Sequence, residues 1–212
     1  IATLHGKVMD AFAEYDNDNG WPIKPQRVVA DIRRVLRDDD LLLSDVGAHK
    51  MWIARQYHAR SPNSCIISNG FASMGIALPG AIAAKLLFPK KTVLAAVGDG
   101  GFMMSVHELE TAVRLKLPII VLIWHDDSYG VIGWHQRKKF SNTFGVDFGN
   151  PDFMKLAESF GAIGMRVTKT DELLPMLRKA TKAKRPVIID CPVDYRENMK
   201  LTEHLKEMAC PV

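Results

Sequence analysis

Cysteine is scarce in this chain: Cys65, Cys191 and Cys210 are the only three in 212 residues. They are too few and too far apart for a disulfide framework or a thiolate zinc site, so a reducing, cytoplasmic setting is expected. Long hydrophobic runs are missing too. The longest apolar stretches are too short or too interrupted to span a bilayer, and no signal peptide opens the chain. Nor does one sign of charge dominate: 28 Lys and Arg against 24 Asp and Glu leave a net +4. The basic residues cluster only briefly, at Arg137-Lys138-Lys139 and from Lys182 to Arg185, and these read as solvated faces. Neither nucleic acid nor a membrane is therefore expected as a partner. The chain opens at Ile1 without Met, which suggests a piece of a longer polypeptide.

What is present is ordinary globular composition, 47% hydrophobic and 25% charged, in a length that suits one sizeable domain. Two apolar runs end in a carboxylate: Thr92 to Gly98 before Asp99, and Pro118 to His125 before Asp126. Short Val- and Ile-rich runs bounded by Gly or Pro predict buried parallel strands. Between them Phe102, Val106, Leu109, Val113 and Leu117 recur at helical spacing. Such a strand–helix–strand unit sets both carboxylates at neighbouring C-terminal strand ends, where open α/β sheets bind ligands. Two hard oxygen ligands beside glycine amides suit Mg²⁺ holding a phosphate group.

The remaining pattern extends this alternation. Pro25 opens a helix carrying Val28, Val29, Ile32, Val35 and Leu36; strands are predicted at Leu41 to Val46 and Ser64 to Ser68, and a small-residue helix from Ser73 to Leu87. After Ile119 to Trp124 a loop is expected through Phe148. A helix then runs from Asp152 to Phe160, a strand from Met165 to Val167, a helix capped by Asp171 to Ala183, and a last strand from Val187 to Cys191. Together these predict an α/β fold, a doubly wound, mostly parallel sheet with helices on both faces. Residues 1–23, with a weak helix on Leu4, Val8 and Phe12, read as a linker or extension, 24–200 as the domain and 201–212 as a tail.

Several motifs fail. Asp16-Asn17-Asp18-Asn19-Gly20 starts like a Ca²⁺ loop but lacks the closing Glu. His107-Glu108-Leu109-Glu110-Thr111 lacks the second His of a zinc-protease helix. Gly98-Asp99-Gly100-Gly101 has Met103 where a dinucleotide turn needs Gly, and no Gly-Lys-Ser/Thr follows as a P-loop requires. Asp99 between glycines suits metal ligation, although an isolated Asp there would serve equally as a helix N-cap.

Gly98-Asp99-Gly100 followed by Asp126-Asp127 resembles the thiamine diphosphate motif of enzymes that decarboxylate 2-oxo acids. Further blocks, Ser44 to Trp52, Ile67-Ser68-Asn69-Gly70, Met74-Gly75, Asn150 to Gly161 and Pro186 to Tyr195, resemble the C-terminal thiamine-diphosphate-binding domain of acetolactate synthases. The resemblance covers roughly residues 24 to 200 and implies the following. Asp99 and Asp126 bind Mg²⁺ through side chains and Ser128 through its carbonyl. Asp stands at 126 where many members carry Asn, as in the catabolic, flavin-independent branch. Gly47, Ala48, His49, Gly98, Gly100, Gly101, Ser128 and Tyr129 lie against thiamine diphosphate, and Met74 holds it bent from beneath. Val131, Ile132, Trp134 and His135 face the substrate; some members carry Trp where His135 stands.

The implied reaction decarboxylates pyruvate and joins the carbanion to a second pyruvate, giving 2-acetolactate. The activating glutamate belongs to an N-terminal domain absent from this chain, so no catalytic residue is expected here and the fragment should be inactive alone. The missing N-terminal and middle domains are its expected partners, in a homodimer or homotetramer, and whether FAD sits in the middle domain stays open. The rival readings are another thiamine enzyme, such as a pyruvate oxidase or other carboligase, and a non-catalytic phosphate-binding module.

Overall fold

A computed structural model describes residues 15–199 and Leu201. The helix expected on Leu4, Val8 and Phe12 and the tail beyond Leu201 lie outside the described residues.

Six strands form one all-parallel sheet: β1 (Leu41–Ser44), β2 (Cys65–Ile67), β3 (Val93–Gly98), β4 (Ile120–His125), β5 (Ile163–Arg166) and β6 (Val187–Pro192), in the order β2-β1-β3-β4-β6-β5. The chain leaves β1 towards β2 and returns on its other side at β3. That reversal opens a crevice at the strands' C-terminal ends.

Alternate residues of each strand feed two cores. Leu94, Ala96, Ile120, Leu122, Trp124, Val187 and Ile189 pack under α1 (Pro25–Val35), α2 (Ala48–Gln56) and α8 (Leu173–Ala180). Val93, Ala95, Val97, Val121, Ile123 and Ile188 pack under α3 (Ala77–Leu87), α4 (Asp99–Ser105), α5 (Glu108–Arg114) and α7 (Phe153–Phe160). Each large side chain buried this way contributes about 1.5–3 kcal/mol. The doubly wound sheet expected from the sequence is therefore the fold observed.

Several boundaries differ from expectation. The helix predicted across Phe102 to Leu117 is broken: the Leu109 N–H donates to Val106 and that of Glu110 to His107, three-residue bonds that turn α4 into α5. The helix predicted from Ser73 begins at Ala77, because the Asp45 carboxylate takes the N–H groups of Gly75 (3.0 Å) and Ala77 (3.4 Å) and Gly75 has φ +85°. The stretch expected to be a loop through Phe148 contains α6 (Gly130–Phe140), whose buried residue is only Gly133. β5 starts two residues earlier than predicted. The expected Asp171 cap is instead a 3₁₀ turn, Thr170–Glu172, with Glu172 accepting from the Thr168 N–H and hydroxyl.

Candidate functional site

A cavity of about 310 Å³ opens where β1, β3 and β4 end. After β1, Gly47 precedes α2, whose first residues Ala48 and His49 are buried. After β3, Gly98 precedes Asp99, itself 1% exposed. After β4, Asp126 and Asp127 precede Ser128 and Tyr129. Gly98 pairs with Trp124, so Asp99 and Asp126 stand at neighbouring strand ends as the sequence suggested.

Asp99 is firmly oriented. Its Oδ2 accepts from the N–H groups of Asp126 (3.2 Å) and Asp127 (2.7 Å) and from Asn150 Nδ2 (2.8 Å); its Oδ1 accepts from the Gly100 N–H at 2.8 Å. Without a cation, burial and then the Asp99 charge push Asp126 up to about 7. A buried carboxylate beside a second one favours neutralisation, by a proton or by a cation.

His49 is neutral. Burial holds its ring down to about 3, and its Nε2 is buried without a hydrogen-bond partner while the residue lines the cavity. Glycine is required beside it: a Cβ on Gly47 would stand 2.8 Å from the His49 ring. A Cβ on Gly100 would meet the Tyr129 ring at 2.7 Å and Phe148 at 3.2 Å. A cavity lined by glycine backbone, a buried neutral histidine and two carboxylates fits a diphosphate carried by a divalent cation.

Of the residues singled out from the sequence, Gly47, Ala48, His49, Met74, Gly98, Asp99, Gly100, Gly101, Asp126, Ser128, Tyr129, Val131 and Ile132 all line the cavity. Trp134 and His135 do not; their rings lie against each other at 5.1 Å further along α6. Sequence reasoning missed Trp124, Tyr195 and Lys50, which also line it. Tyr195 stacks on Trp124 at 6.4 Å and 14°, which brings a residue beyond β6 to the cavity floor.

Asp99, His125 and Asp127 also offer ligand atoms within 4.8 Å of one another. His125 is unsuited to ligate, because Nδ1 bonds Asp190 at 2.7 Å and Nε2 bonds Asp127 at 3.0 Å. Its bond to Asp190 outweighs burial and, with Asp127, raises it to about 9, so the ring is protonated. Burial would raise Asp127, but its bonds to His125 and Asn150 prevail and lower it.

These shifts set a pH dependence for the metal-free chain. Asp126 binds its proton more tightly folded than unfolded, so its stabilising contribution is complete below its ordinary 3.8 and is lost as pH rises through about 7. The His125 contribution is complete below 6.5 and is lost through about 9. Melting temperatures measured without metal should therefore fall from pH 6 to pH 9, and Asp126→Asn should flatten the lower half of that slope. A rise across this range would contradict both assignments.

An all-parallel sheet with an anion cradle and paired carboxylates at its switch point defines an α/β domain of the kind that holds phosphorylated ligands. The chain belongs to the thiamine pyrophosphate enzymes: the family described as thiamine pyrophosphate enzyme, C-terminal TPP binding domain, matches residues 45–191. It is 43% identical over 189 residues to an acetolactate synthase of Bacillus subtilis, covering 89% of this chain and 33% of that protein. It is 40% identical over 187 residues to a catabolic acetolactate synthase of Raoultella terrigena, covering 88% and 34%. The chain thus spans about a third of the length of these relatives. Its fold matches that of a Rhodococcus jostii thiamine diphosphate-dependent 4-hydroxybenzoylformate decarboxylase, with a TM-score of 0.79 at 23% identity over 85% of this chain and 34% of that one. Among the described residues, no helix is long and apolar enough to cross a membrane.

Proposed function

We propose that this chain is the diphosphate- and Mg²⁺-binding part of an acetolactate-synthase-like enzyme. Such an enzyme decarboxylates one pyruvate and joins the product to a second, releasing carbon dioxide and 2-acetolactate. The observation that carries the reading is the cleft itself: Asp99 and Asp126 at adjacent strand ends, with glycine backbone and the neutral, buried His49 lining the same cavity. The likeness to relatives named acetolactate synthase supports the choice of reaction.

In this reading Asp99 and Asp126 hold Mg²⁺ through their side chains and Ser128 through its carbonyl. Gly47, Ala48, His49, Gly98, Gly100, Gly101 and Tyr129 receive the diphosphate, and Met74 supports the cofactor from below. Val131 and Ile132 lie on the substrate side; Trp134 and His135, outside the lining, receive no contact. Thiamine diphosphate supplies the electron sink for decarboxylation, and the chain anchors and orients it. The rest of the polypeptide supplies the activating glutamate, and the whole works as a homodimer or homotetramer.

Titration with thiamine diphosphate, followed by fluorescence of the cavity-lining Trp124, tests the anchor. Saturable binding that requires Mg²⁺ is expected. Gly100→Ala, which drives a Cβ into Tyr129 and Phe148, should weaken that binding at least about tenfold, the scale on which misplaced groups around a metal site act. Binding indifferent to Mg²⁺, or equal affinity for unrelated phosphates, would favour a phosphate-binding module instead.

A further inference from the structure

Asp127 is the third carboxylate at this end of the sheet, and it does not line the cavity. Its Oδ1 accepts from Asn150 Nδ2 at 2.8 Å and bonds His125 Nε2 at 3.0 Å. The same Asn150 amide nitrogen reaches Asp99 Oδ2 at 2.8 Å. His125 is backed by Asp190, 2% exposed, whose other oxygen lies 3.4 Å from Arg166 Nε. The loop carrying Asn150 is tied to the β4 end by the backbone: the Phe148 N–H donates to the Asp127 carbonyl, the Tyr129 N–H donates to Val146, and Ser128 bridges Asp147.

Three carboxylates close together offer a cation more than one pair. Asp99 and Asp127 are near enough to pinch an ion between them. The Asn150 amide stands in that place, its NH₂ group giving one hydrogen to each carboxylate. We propose that Asn150 is a positioning residue that decides which aspartate pair takes the cation: it bridges Asp99 to Asp127, closes that pair, and leaves Asp99 to work with Asp126 facing the cavity. His125 completes the arrangement by bonding the same Asp127 oxygen, Oδ1, that Asn150 bonds. The inference rests on the proposed metal role of Asp99 and Asp126.

The test uses the intact enzyme with Mn²⁺ in place of Mg²⁺, reading thiamine diphosphate affinity at saturating Mn²⁺ and melting temperature without metal. Asn150→Ala should weaken Mn²⁺-dependent binding more than fivefold, because Asp127 now draws the cation away from the cavity. Adding Asp127→Asn to that variant removes the competing pair and should recover more than half of the loss on a logarithmic scale, a rescue that a general loss of folding would not give. A change below fivefold, or a loss that Asp127→Asn leaves in place, overturns the proposal. If Asn150→Ala melts below the assay temperature, Asn150→Ser carries the same comparison. An unaltered enzyme that binds thiamine diphosphate without any dependence on Mn²⁺ would overturn the metal-site reading and this inference together.

Discussion

Replacing Asp126 by alanine should remove most Mg²⁺-dependent binding of thiamine diphosphate and leave the metal-free fold more stable at pH 8. Both halves come from one cause. Asp126 sits at the end of β4, beside Asp99 at the end of β3, and its own backbone N–H is already spent on Asp99. Burial and the neighbouring charge raise its carboxyl from 3.8 to about 7, so at pH 8 the metal-free chain holds an ionised group against its preference. A rise of that size corresponds to roughly 4 kcal/mol at most, the penalty relieved when the carboxylate is removed. In the proposed site the same penalty would turn into affinity for a divalent cation held by Asp99 and Asp126. Losing one of two carboxylate ligands should weaken metal-dependent binding by more than about 100-fold, beyond the effect usual for residues behind a ligand. Calorimetry with and without Mg²⁺ reads the binding, and a metal-free melt at pH 8 reads the stability. Cofactor affinity unchanged in a folded variant would remove Asp126 from the metal site. Asp127→Ala should change affinity less than tenfold; if it is instead the variant that loses binding, the ligand lies one residue later than assigned.

How much of this site could be read from the chain depended on how local its signals are. The strands ending at Gly98 and His125 are marked by dense Val and Ile runs closed by polar residues, and adjacency in a strand–helix–strand unit follows from chain connectivity alone. That placed Asp99 and Asp126 side by side before any coordinates. The helices α2 and α6 left no such mark. In α2 the buried residues Ala48, His49, Trp52, Ile53 and Gln56 are not one apolar stripe, and α6 buries only Gly133. Both lie next to the cavity, where ligand contact competes with the core for the same residues. Trp134 and His135, expected on the substrate side, lie on α6 outside the cavity lining. Wound as helix, they follow Val131 by about one turn, and Val131 lines the cavity while they do not. Trp124 was hidden for the opposite reason: it ends a core strand and reads as core, yet it also lines the cavity. The His125–Asp190 pair spans 65 residues and needs the β4–β6 register to become visible.

The 212-residue chain by itself should show no acetolactate synthase activity. The cavity carries two carboxylates, Asp99 and Asp126, and both are committed to the cation in the proposed site. No glutamate lines it among the described residues. Glu108 is half-buried beside His107, and exposed Glu110 pairs with Arg114 at 2.9 Å, so neither is placed to exchange a proton with a bound cofactor. One wall is also missing. Phe71 is fully exposed, and Ile76, Met103 and Met104 are exposed near the Met74 turn, where a surface meant to exclude water would need a second layer. The relatives are about three times as long as this chain, and in the proposed reading such further sequence supplies that layer and the activating acid. A pyruvate assay with saturating thiamine diphosphate and Mg²⁺ should therefore give no acetolactate above the protein-free control, while the same sample still binds the cofactor. Turnover in the general enzyme range, roughly 1–10³ s⁻¹, would mean that the proton-transfer group lies within these residues after all. The search would then turn to Tyr195 and Lys50, the ionisable side chains lining the cavity that the proposed site leaves without a task.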